Sequence, residues 1–94
     1  MIIYQGHRFE GYNKPRPSWL RGKKMVVLAK VGSQVKLIHF GDSGMQDFRQ
    51  HRDPERRRRY LQRSAGIRDG QGRLTKDNPL SANYWSRRIL WAAR

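Results

Sequence analysis

The chain has 94 residues, with 21 Lys plus Arg against 7 Asp plus Glu, a net charge of +14 and no cysteine. A chain this short forms one small domain with a marginal core, and the absence of cysteine excludes disulfides and thiolate metal sites and fits a reducing setting. The longest apolar run, residues 25–29, is far below the roughly 20 residues that cross a bilayer, so the polyanion that so basic a chain calls for is expected to be a nucleic acid rather than a membrane.

Residues 1–22 mix aromatics with Gly, Pro, Lys and Arg and hold no sustained period of 2 or 3.6. They predict an extended basic arm with a short strand at 2–4, followed by a small domain over 23–94. Lys14, Arg16, Arg21, Lys23 and Lys24 surround Trp19, and basic arms of this kind lie in minor grooves. Trp19 either completes the core or, with Tyr12, stacks on unpaired bases.

Two β-rich runs, 25–31 and 34–40, flank Gly32 and Ser33, which is a hairpin signal. In the second run Val35, Leu37 and His39 alternate with Lys36, Ile38 and Phe40. Neither set is cleanly polar, so both faces of the hairpin are expected to be partly covered.

Asp53 before Pro54 reads as an N-cap followed by proline at the first helical position, with Glu55 suiting the helix dipole. These predict a helix from 54 to about 64, ended by Gly66. Residues 66–78 hold three glycines and no period and read as a mobile loop. The chain closes on an amphipathic helix capped by Asn78 or Ser81, with Ala82, Trp85, Ile89 and Ala92 or Ala93 on its inner face. The fold class is therefore α+β: a two- or three-stranded antiparallel sheet, an Arg-rich helix and a Trp-containing terminal helix.

The helix over 54–64 carries the functional signal. At 100° per residue Arg56, Arg59 and Arg63 share one face, joined by Arg52 just before it, while Tyr60, Leu61 and Ala65 lie opposite. Arg57 falls on the Tyr60 side and is expected to pair with Asp42, Asp47 or Asp53. A charged face is what any surface helix presents, but solvated faces intersperse acids, and like charges at i, i+3 and i+4 destabilise a helix by a few tenths of a kcal/mol per pair. Four consecutive arginines, and 15 arginines among the 21 cations, point to phosphate, which the guanidinium fork matches. The candidate nucleic-acid contacts are Arg52, Arg56, Arg59 and Arg63, with Arg16, Arg21, Lys23 and Lys24 from the arm and Arg87 and Arg88 from the terminal helix.

Chemistry is not indicated. His39, His51, Asp42, Asp47 and Asp53 lie close in sequence but match no metal-ligand spacing, and no P-loop or G-x-S-x-G element is present. No catalysis, cofactor or metal is expected.

The order "HFGDSGMQDFRQHRDPERRRRYLQR" (39–63) followed by "LSANYWSRRILW" (80–91) resembles a group of small basic proteins of large DNA viruses and tailed phages. In that group a strand ends in His-Phe-Gly, here 39–41, and an Asp-Phe (47–48) and a His-x-Asp (51–53) precede an Arg-rich helix. A Trp-Ser-Arg (85–87) and a Leu-Trp (90–91) then close the chain. The resemblance spans residues 23–91 at most and implies a viral origin and a hairpin plus helices, without supplying an activity. The expected function is binding of DNA, or less readily RNA, through phosphates without sequence preference, in the host cell or the virion and not in secreted form. The alternatives are a virion component that meets genome and capsid together, and an inhibitor docking on an acidic host protein.

Overall fold

The computed structural model describes residues 1–92. Its centre is the expected hairpin, β4 (Lys23–Val31) and β5 (Gln34–Asp42), paired from Lys23↔Asp42 to Val31↔Gln34. The last pair leaves a two-residue turn whose first position is Gly32 at φ +58, the place where a II′ turn demands glycine. Strand alternation then splits the apolar residues between two cores. Val27, Ala29, Ile38 and Phe40 pack with Trp85, Leu90 and Trp91 on one face, and Val26 and Leu28 pack with Phe9 on the other.

The second core corrects the expectation of an extended arm over residues 1–22. They form a hairpin of β1 (Ile2–Tyr4) and β2 (His7–Phe9), turned by Gln5 and Gly6 at φ 50 and 81, and a two-residue strand, β3 (Arg16–Pro17), that pairs with β4 at Val26 and Met25. Phe9 is 2% exposed, and burying a ring of that size stabilises by about 1.5–3 kcal/mol. Between these strands Asn13 closes the open edge of β4: its N–H donates to the Leu28 carbonyl at 2.9 Å, and its Oδ1 accepts from the Lys30 N–H at 3.0 Å. The physical reason is the apolar outer face of β4, which a small chain has to cover with whatever lies nearby.

After β5 come a one-turn helix α1 (Phe48–His51) and the expected α2 (Pro54–Ala65). Asp53 caps α2, accepting from the N–H groups of Glu55 and Arg56, with Pro54 in the first turn. Gly66 closes it as expected, but at φ −92 rather than in the left-handed form. Residues 66–78, expected to be a mobile loop, are folded back on themselves. Arg68 bridges Leu74, Asp69 Oδ1 accepts from the N–H groups of Gln71 and Arg73, and Thr75 opens a 3-10 turn (Thr75–Asp77) with its side chain buried. Asp69 supplies the side-chain-to-backbone bonds that make such a turn.

The terminal segment departs from a regular helix. Ser81, not Asn78, caps α3 (Ala82–Trp85), which continues into a π turn (Ser86–Leu90) closed by the Trp91 N–H on the Ser86 carbonyl at 3.2 Å. The wider turn inserts one residue into the period. Leu90 and Trp91 therefore reach the core at 2% and 8% exposure with Trp85 at 4%, whereas Ile89 is half-buried and Ala82 exposed. Ala92 is half-buried, and Ala93 lies outside the described residues. No described helix is long and apolar enough to cross a membrane.

Candidate nucleic-acid interface

The loop from Asp42 to Asp53 is built on one buried carboxylate. Asp47, 2% exposed, caps α1 through its bond from the Arg49 N–H, while Gln50 returns a bond to the Asp47 N–H. The Asp47 carboxylate also accepts from the Arg49 guanidinium at 3.2 Å and from Lys24 Nζ at 2.8 Å. Burial on its own would raise the carboxyl's pKa. The bonds from Arg49 and Lys24 outweigh it and hold the group below its ordinary value. Lys24 also donates to Gln50 Oε1, so β4 and α1 are tied through one ammonium.

With that loop fixed, α2 leans over a cleft of about 460 Å³. Arg56, Arg59 and Arg63 rim it from α2, Met45, Gln46 and Asp47 form the facing wall, and Tyr60, Leu90 and Trp91 lie in its lining with Lys24, Gly41, Asp42 and Ser86. Tyr60 and Trp91 stack at 4.1 Å and 7°. Arg56 reaches Gln46 Oε1 at 3.4 Å, and the Arg63 guanidinium lies 5.9 Å from the Tyr60 ring centre. Burial raises the Tyr60 phenol above its ordinary value, against the opposing pull of Ser86, Arg87 and Arg63. Among the described residues Arg59 and Arg63 form no ion pair. The lining holds four cations against the two carboxylates Asp42 and Asp47, a net +2, and Asp47 is already matched by Lys24 and Arg49.

Arg52 does not join this stripe. Its backbone is left-handed at φ 54, ending α1 before α2 begins, so the helical wheel that groups it with Arg56 does not extend to it. It lines a separate cleft of about 260 Å³ with Arg49, Arg88, Ile89 and Ala92. Arg88 is exposed and rests on the Tyr84 ring at 5.7 Å. The other candidates are dispersed. Lys24 is held by Asp47 and Gln50, and Arg87 donates to the Leu61 carbonyl at 2.7 Å and Ser64 Oγ at 2.6 Å, where it fastens the last turn of α2. Arg16 donates to the Arg8 carbonyl on the outer side of the sheet, and Arg21 and Lys23 are exposed at the sheet end that carries Asp42. Arg57 pairs with none of the expected acids: its Nε donates to the Trp91 carbonyl at 2.7 Å.

Trp19 is 39% exposed rather than core. Its ring stacks on His7 at 3.6 Å and meets His39 edge-on, and His39 Nδ1 shares a 2.8 Å hydrogen bond with Ser18 Oγ. Burial, then the nearby His7 and Lys23, lowers the His39 pKa. His51 lies among Phe48 and Trp91, its Nδ1 accepting from the Asp53 N–H at 2.9 Å. Among the described residues no three His, Asp or Glu side chains surround a common point.

The helical wheel sets Tyr60 apart from the arginine stripe, and the sequence gives no reason to single out Met45 or Gln46. The cleft brings all three to the arginines because the Asp47 cap turns the 42–47 loop toward α2, a tertiary effect with no local signal.

A family model described as "Family of unknown function (DUF5754)" matches residues 14–64, more than half of the 94-residue chain. The chain belongs to this family. The DUF5754 span contains β3, β4, β5, α1 and α2, and so the arginine rim of the cleft and its facing wall, while Leu90 and Trp91 lie beyond it. No curated protein and no solved structure matches the chain.

Proposed function

We propose that the chain binds nucleic acid, DNA more readily than RNA, through phosphate contacts largely without sequence preference, as an accessory protein of a phage or virus. The observation that supports this reading is the convergence of Arg56, Arg59 and Arg63 on one cleft rim. Three like charges at i, i+3 and i+7 on one helix repel one another. Elsewhere in the chain exposed arginines find acids, as Arg58 does with Glu55 and Arg73 with Asp69. A rim that lacks such acids is matched by an external anion, and guanidinium groups suit phosphate. The viral setting rests on the resemblance of the 39–63 and 80–91 blocks. The test is affinity for mixed-sequence DNA as a function of salt. Three phosphate contacts give a log–log slope of about −2 to −3, at roughly −0.7 per contact on single strands and −0.9 on duplex. A slope near zero, or a hundredfold preference for one sequence, overturns the reading.

A further inference from the structure

We infer that the cleft beside α2 receives one unpaired nucleotide, phosphate on the arginine rim and base against the apolar lining, so that the ligand is single-stranded nucleic acid or a frayed end rather than intact duplex. This rests on the nucleic-acid reading and names the substrate class of the same site. The first argument is the mixed lining. Arg56, Arg59 and Arg63 suffice to hold a phosphate, and an anion alone has no use for Met45, Tyr60 and Leu90 in the same recess. A base is the part of a nucleic acid with an apolar face, and in a duplex that face is stacked away.

The second argument is size and shape. A recess of about 460 Å³ lies in the range that encloses small organic ligands, roughly 300–1,000 Å³. Duplex readers instead present a protruding helix or ribbon to a groove about 12 Å wide, whereas the arginines of α2 border a hollow. The third argument is Met45. It is 63% exposed on the wall facing the arginines, and an unbranched thioether is the side chain best able to adapt to whichever base enters. Such a site tolerates every base, consistent with binding that ignores sequence.

The experiment uses the full chain and three probes at equal salt: a twelve-unit thymidine strand, a strand of the same length and charge built from abasic units, and a blunt duplex. The thymidine strand is expected to bind about tenfold tighter than the abasic one, the smaller end of what base–aromatic and base–apolar stacking contributes, and tighter than the duplex. In Arg59→Gln with Arg63→Gln the affinity for thymidine falls toward that for the abasic strand, with thermal melting confirming the fold. Met45→Asn, at an exposed position that leaves the core alone, narrows the thymidine-to-abasic ratio without changing the salt slope. Equal affinity for the thymidine and abasic strands, or duplex as tight as single strand, overturns this inference and leaves phosphate binding standing. No binding of any probe overturns both. A thymidine preference untouched by both variants places the base elsewhere and overturns the assignment to this cleft.

Discussion

Arg57 Nε donates to the carbonyl of Trp91 at 2.7 Å, while its guanidinium lies 5.7 Å from the Phe48 ring centre. One side chain thus joins α2, α1 and the last core residue, and it does so between arginines that face solvent. Arg57→Ala removes a charged donor from a half-buried carbonyl, a loss of about 1.5–3 kcal/mol. In a domain of this size each kcal/mol lowers the Tm by roughly 4–8 °C. Thermal melting should show that drop, with DNA affinity of the folded protein unchanged. A stable variant that loses affinity would place Arg57 in the binding surface.

The π turn makes a prediction that a regular helix would reverse. Leu90→Ala should destabilise by about 2–5 kcal/mol, as buried leucines do, and Trp85→Ala by about 3–5 kcal/mol. Ile89→Ala, at a half-buried position, should be the mildest of the three. Urea titration orders them, and a larger loss at Ile89 than at Leu90 would restore the 3.6-residue period.

Gly41 carries a backbone at φ +80, and a Cβ there would sit 2.6 Å from Leu90 Cδ1 and 3.3 Å from Lys24 Cβ. Both strain and overlap oppose any side chain, and overpacking alone costs about 1–3 kcal/mol. Gly41→Ala should therefore unfold at lower urea than the parent. If it melts with the parent, β5 does not approach Leu90 that closely.

Asp47 predicts the acid limb of stability. Its folded pKa lies below its ordinary value of 3.8, so the stabilisation from Lys24 and Arg49 is complete above that pH and disappears as pH falls through the folded value. Glu55 and Asp69 are lowered too, by Arg58 and by the Arg73 and Gln71 N–H groups, so the comparison must be parent against Asp47→Asn. The parent should lose Tm more steeply below pH 3.8 than the variant, whose Tm starts lower. Parallel curves would mean that Asp47 does not carry the linkage.

These positions mark where local reading succeeds and where it stops. The hairpin turn at Gly32 and the Asp53–Pro54 start of α2 are chemical signals carried within a few residues, and both were legible. The β1–β2 hairpin was not, because three-residue strands hold no measurable period and their purpose, covering Val26 and Leu28, lies in another segment. The left-handed backbone of Arg52 and the π turn shift faces by a single residue, and nothing in the composition announces either. Lys24 and Arg87 resemble every other cation in the sequence, and only their partners, Asp47 and the end of α2, set them apart. Charge was legible; which charges are already used was not.

That distinction sets the decisive comparison for the cleft. Arg59→Glu with Arg63→Glu and Arg68→Glu with Arg73→Glu each change the net charge by the same amount, so a long-range field acting alone weakens DNA binding equally in both. The pairs differ in position: Arg59 and Arg63 rim the cleft, whereas Arg68 donates to the Gly72 carbonyl and Arg73 pairs with Asp69 in the turn beyond α2. If the rim touches phosphate, its reversal should weaken binding well beyond the turn pair and lower the salt slope by about 1 for each phosphate the rim no longer holds. The rim variant should keep its fold, since relieving like-charge repulsion along α2 offsets part of any destabilisation. The turn variant gives up the Asp69 pairing, so affinities are compared under conditions where melting shows both variants folded. Equal weakening with equal slopes would make the arginines of α2 the solvated side of a helix and remove the cleft from the binding surface.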